Sequence, residues 1–156
     1  MAKYRTLSIT ELESFEKEFI SFLVINGIEA DNWEEIKKNE PIKANKIIEQ
    51  FSAVVFESIF RKNMFIDFIS AKTIKCFQFL ADSVQLIGLD AEEGSEVDFM
   101  KANSIRECII QNEAHLKVYQ SNKKYIKSRE EEMYNMVQSG ANLSKGELFK
   151  QIALLL

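Results

Sequence analysis

One histidine, one proline and two cysteines stand among 156 residues, and each scarcity removes a class of function. Metal centres gather several imidazole, thiolate or carboxylate ligands at helix or loop spacing. Here "NEAHLK" supplies Glu113 and His115 alone, with no HExxH or paired-thiol motif nearby, so neither a metal nor a cofactor is expected. A Cys-His enzyme would have to pair His115 with Cys108. On one continuous helix those two lie about 10 Å apart along the axis, too far for direct proton transfer.

The five glycines fall singly, whereas a phosphate-cradling loop needs them clustered. Cys76 and Cys108 belong to no paired-thiol motif and read as small core residues in a reducing compartment, with the cytoplasm as the default location. The opening "MAKYRTLSITELESFEKEF" lacks the apolar region of a secretory signal. The longest apolar run, "IALLL", is far short of the ~20 residues of a membrane span. No Pro/Ser/Gly-rich linker interrupts the chain, so a single domain over residues 1–156 is expected. A net charge of −4 argues against whole-surface binding to a polyanion and leaves room for a local basic patch.

What is present is a strong helical period followed by a strand-like one. Ser8 with Glu11, or Thr10 with Glu13, opens a helix through Leu12, Phe15, Phe19 and Leu23, which Asn26-Gly27 stops. Asp31 or Asn32 then caps a short helix bearing Trp33 and Ile36, with Trp33 the apolar plug of a helical joint. Pro41 fits the first turn of a longer helix running to about Arg61, whose wide stripe includes Ile47, Phe51, Val55 and Ile59.

From Met64 to Leu89 short β-branched and aromatic runs predict a three-stranded antiparallel meander. Both of its faces carry apolar groups, one for the helices and one that a partner subunit could cover. The acidic run Asp90 to Asp98 reads as a charged loop after an edge strand. A short helix is expected over Ser104 to Gln111, and "HLKVY" reads either as its continuation or as a fourth strand. Ser128 with Glu131 and Ser144 with Glu147 form two capping boxes that open short terminal helices.

The fold class is therefore α+β: an N-terminal helical hairpin packed on a small antiparallel three- or four-stranded sheet, followed by short C-terminal helices. The run "FISFLVINGIEADNWEEIKKNEPIKANKIIEQFSAVVFE", with "VQLIGL" and "KKYIKSREEEMYNMVQSG", resembles a Bacteroidetes family of short intracellular proteins known as a domain of unknown function. The resemblance covers nearly the whole chain and implies one compact bacterial intracellular domain. It assigns no residue a chemical role.

One stretch remains as a candidate ligand surface. Between Lys117 and Arg129 stand five bases, Lys117, Lys123, Lys124, Lys127 and Arg129, without an acid, and Tyr119 and Tyr125 lie among them. Positive grooves with aromatic platforms bind single-stranded nucleic acid, although the RNP signatures of RNA-binding folds are missing here. The bland alternative has both rings packed on the domain, the lysines in water, and Glu130 to Glu132 in the first turn of a helix capped by Ser128.

The leading functional reading is a non-enzymatic interaction domain, self-associating or bound to another protein, with Leu154, Leu155 and Leu156 as candidate self-association residues unless that tail docks into its own core. A nucleic-acid-associated protein using residues 117–129 is the alternative. An enzyme ranks third, for want of any catalytic constellation.

Overall fold

The computed structural model describes residues 3–156 and divides into two compact units, one reaching to Ile59 and one beginning at Phe60. In the first unit Ser8, not Thr10, opens helix α1 (Ile9–Ser14). Its hydroxyl accepts from the Glu11 N–H at 3.2 Å, and the Glu11 carboxylate accepts from the Ser8 N–H at 2.8 Å. Arg5 decides between the two boxes by gripping the same carboxylate in a fork, at 2.7 and 2.8 Å. That fork and the Ser8 bonds hold the Glu11 carboxyl down to about 2.

The single helix expected here is divided at Phe15, beyond which α2 (Glu16–Ile25) runs to Asn26. Gly27, at φ 76°, takes the left-handed turn that ends it. Helix α3 (Ala30–Asn39) begins two or three residues earlier than a cap at Asp31 or Asn32 predicts. Glu29 is its N-cap without a side-chain bond, and Asp31 lies inside the first turn, where negative charge is favoured.

Trp33 fills the joint as its position predicts, 8% exposed and edge-on to Phe19 at 5.2 Å. Phe19 and Phe22 in turn pack on Phe51 of α4 (Pro41–Lys62), at 4.9 and 5.4 Å. The residues before α1 are strapped to the same helix: the Leu7 N–H donates to the buried Ser52 hydroxyl, and the Tyr4 hydroxyl donates to Glu57.

The second unit contains β1 (Phe65–Ile69), β2 (Thr73–Phe79), β3 (Ser83–Ala91), α5 (Ile105–Gln111), β4 (Leu116–Lys124), α6 (Arg129–Gln138), β5 (Asn142–Ser144) and α7 (Glu147–Ala153). The sheet has five antiparallel strands in the order β4-β3-β2-β1-β5, which corrects the expected three or four. "HLKVY" resolves into strand after His115, which closes a 3-10 turn, because β4 covers the whole length of β3 from Ala91 opposite Leu116 to Ser83 opposite Lys124. The sheet edge is thus β4 rather than β3.

Strand β5 is too short to show a period of two, and its pairing with β1 draws Ser144 out of the expected capping box. Ser144 accepts from the Gly146 N–H instead, and α7 starts after Gly146 turns through φ 82°.

Alternation along the strands sends Ile74, Cys76, Ile87 and Leu89 to one face. Ile109 of α5 and Ile152 of α7 cover that face, together with Val97 and Phe99. Each fully buried Ile or Leu stabilises by about 1.5–3 kcal/mol relative to exposure. The acidic run is therefore more than a solvated loop, since its end plugs the core. Lys72 holds it there by donating to the Ser95 and Val97 carbonyls, and the Phe99 N–H donates to the Ala71 carbonyl at 2.8 Å.

Phe77, Phe79 and Val84 point to the opposite face, beside α6. Helices of the same chain thus serve both faces, including the one left for a partner subunit in the sequence reading.

Candidate interaction surface

The basic stretch is divided by the fold into residues that build structure and residues that face water. Tyr125 follows β4, and its ring stacks on Phe79 with centroids 6.2 Å apart and planes 2° from parallel. Its hydroxyl donates to the carbonyls of Leu80 and Ser83 at 2.7 and 2.9 Å, closing the β2–β3 turn. Burial pushes the phenol up to about 12, against a downward pull from Arg129 and with Glu132 adding to the rise.

Arg129 spends its fork on main-chain carbonyls. Nη1 donates to Phe60 at 2.9 Å, Nη2 to Asn63 at 2.7 Å, and Nε and Nη2 to Phe79 at 3.2 and 3.1 Å. It thereby supplies donors to carbonyls at and just beyond the end of α4, where the last turn leaves them short of partners. Ser128 caps α6 as its spacing predicts, accepting from the Glu131 N–H at 3.2 Å, with Glu130 to Glu132 in the first turn.

Tyr119 stands opposite Gly88, and its ring lies over the glycine. Burial, then Asp90, raises its phenol above the usual range. Lys117 is opposite Asp90 on the ladder, exposed to solvent. The acidic run begins at that end of β3, whereas Lys124 lies seven ladder steps away, about 23 Å at ~3.3 Å per residue. It therefore cannot neutralise Lys123, Lys124 or Lys127. All three are exposed, and Lys127 approaches Glu131 at 3.6 Å.

The closing leucines are also divided. Leu155 packs against the core cluster of α5 and α7, while Leu154 and Leu156 are 85% and 57% exposed.

Around Lys123 and Lys127 opens a feature the sequence did not reveal: a groove of about 470 Å³ between α6 and the sheet. Phe77, Phe79 and Val84 form its floor, and Met136 stands on its helical wall. Ile126, 85% exposed, lies at its mouth with the two lysines. The helical face toward it recurs at the spacing Glu132, Asn135, Met136 and Ser139, one side of α6. No sequence signal joins β2 to α6, because the groove comes from the hairpin turn and the Tyr125–Arg129 connection folding together.

His115 Nδ1 lies 3.4 Å from a Glu92 carboxylate oxygen, with both side chains exposed, and the Cys108 sulfur accepts a long contact, 3.8 Å, from the Asn112 amide that donates to the Cys108 carbonyl at 2.7 Å. Among the described residues no three His, Cys, Asp or Glu side chains gather as a metal site would require. None of their helices is long and apolar enough to cross a membrane.

No curated protein and no solved structure matches the chain. A family model matches it over residues 1–156, and the protein thus belongs to the family of unknown function DUF6495.

Proposed function

We propose that the chain is a non-enzymatic protein-interaction domain that binds through the groove between α6 and the sheet. The observation that carries this reading is an apolar floor whose Phe77 and Val84 are left half-buried beside Met136 and the exposed Ile126, while the other sheet face is closed by α5 and α7. Aromatic side chains in a concave, partly desolvated patch are the usual anchors of protein interfaces. A bacterial cytoplasmic setting agrees with two free thiols, one of them fully buried.

A photo-crosslinking amino acid in place of Ile126, in cells that express the protein, tests the reading. The expected result is a discrete protein adduct that is missing when the same group replaces Lys101, which is exposed and lies away from the groove. The same adduct from both positions would overturn it, as would none from Ile126.

Self-association is a second reading, favoured by the exposure of Leu154 and Leu156. Light scattering over a dilution series should then show a dimer that Leu154→Asp weakens. Nucleic-acid binding through residues 117–129 retains four lysines but has Tyr125 and Arg129 engaged inside the fold. Affinity for single-stranded RNA that falls steeply with salt would favour it.

A further inference from the structure

We infer that the groove takes an extended segment of a partner protein in which an apolar side chain is followed closely by carboxylates. This rests on the interaction reading above and names the partner's chemistry. A volume of about 470 Å³ accommodates a few residues of extended chain. A helix, ~10–12 Å across, would stand mostly outside it. Phe77, Val84 and Met136 offer an apolar seat, and Lys123 and Lys127 offer positive charge at the rim. Lys127 reaches Glu131 only at 3.6 Å, and among the described residues Lys123 makes no ion pair, so carboxylates on the occupant meet charge that the fold leaves available.

Glu132 favours a peptide over an anionic lipid. One of its carboxylate oxygens is screened from solvent and has no hydrogen-bond donor, although the residue lines the groove. The last torsion of a glutamate is soft, so a small rotation presents that oxygen to an incoming donor. A peptide brings a main-chain N–H at nearly every residue; a fatty-acid-like amphiphile brings none. The wall is also fixed in advance, because Tyr125 and Arg129 anchor the connection from β4 into α6 to main-chain carbonyls. Preorganisation of this kind lowers the entropic cost of binding.

Panning a phage-displayed random dodecapeptide library on the full chain, with counter-selection on Met136→Glu, tests the inference. Enriched peptides should share an apolar residue followed within a few positions by Asp or Glu. As labelled synthetic peptides they should lose about tenfold in affinity or more with Met136→Glu, with Ile126→Asp and with Lys123→Glu/Lys127→Glu. Lys124→Glu, the same charge change outside the groove lining, should leave binding unchanged. Because Ile126 is 85% exposed, Ile126→Asp preserves the test should Met136→Glu fail to fold.

Peptides that depend on Ile126 but lack acids would overturn the inference and leave the interaction reading standing. Equal loss with Lys124→Glu would overturn it as diffuse electrostatics. A library with no groove-dependent peptide would overturn both readings.

Discussion

The ring of Tyr119 lies across Gly88, its partner on the neighbouring strand, so closely that a Cβ on the glycine would fall inside the ring's van der Waals surface. A glycine inside a strand normally weakens it, and here the missing side chain is the space the aromatic occupies. Gly88→Val should therefore cost about 1–3 kcal/mol by overpacking. In a Tyr119→Ala background the same change should cost much less, because the clashing ring is gone. A double-mutant cycle from urea denaturation measures the coupling, and additive costs would contradict the account.

Arg129 separates structural charge from surface charge. Its side chain is 16% exposed and bonds the carbonyls of Phe60, Asn63 and Phe79. Arg129→Gln should cost about 2–4 kcal/mol, since charged hydrogen bonds contribute more than neutral ones and buried carbonyls are left without donors. Lys123→Gln removes the same charge from an exposed site and should stay within about 0.5 kcal/mol. Equal midpoints for the two variants in urea would refute the structural role.

Asp67 gives the fold an unusual response to pH. It is 8% exposed, stands opposite Cys76, and one of its carboxylate oxygens has no hydrogen-bond partner. Burial pushes its carboxyl above the ordinary 3.8, with Cys76 and Ser144 pulling the other way. An acid whose pKa rises on folding is held more readily protonated by the folded chain. Its contribution is therefore intact below the unfolded value and is lost as pH rises through the window up to the folded value. Asp67→Asn should be about 1–3 kcal/mol more stable than the parent at neutral pH. That advantage should close toward pH 3, and urea titrations across the range read it directly. A gap independent of pH would show that Asp67 is not the group responsible.

The closing leucines make a sharp pair for mutagenesis. Leu155→Asp places a carboxylate in the core cluster and should cost about 2–5 kcal/mol. Leu154→Asp, at an 85% exposed position, should leave monomer stability within about 0.5 kcal/mol. Thermal unfolding of both variants checks this, and a severe loss for Leu154→Asp at high dilution would mean the residue is buried in solution.

Features governed by near neighbours were the readable ones. Ser128 and Glu131 announce a helix start because the whole device spans four residues, and Pro41 does the same for α4. The choice between Ser8 and Thr10 turned on Arg5, a side chain outside either box. Ser144 repeats the spacing of a cap but is captured by β1, a strand distant in sequence, so local chemistry lost to pairing. The groove was illegible for a related reason: it joins Phe77 and Val84 to Met136, and the bonds that align them end on main-chain oxygens, which every residue type carries.

That last property has an evolutionary corollary. Tyr125 and Arg129 together engage five residues, Leu80, Ser83, Phe79, Phe60 and Asn63, without asking anything of their side chains through these bonds. Substitution at Leu80, Ser83 and Asn63 can proceed without compensating change at the latch, so paired sequence variation at those three would carry no trace of it, whereas Phe79 also stacks on the Tyr125 ring. The restriction falls on the two donors and on the ring of Phe79 beneath one of them: a phenol at one position and a guanidinium at the other, with the turn residues free to drift around them.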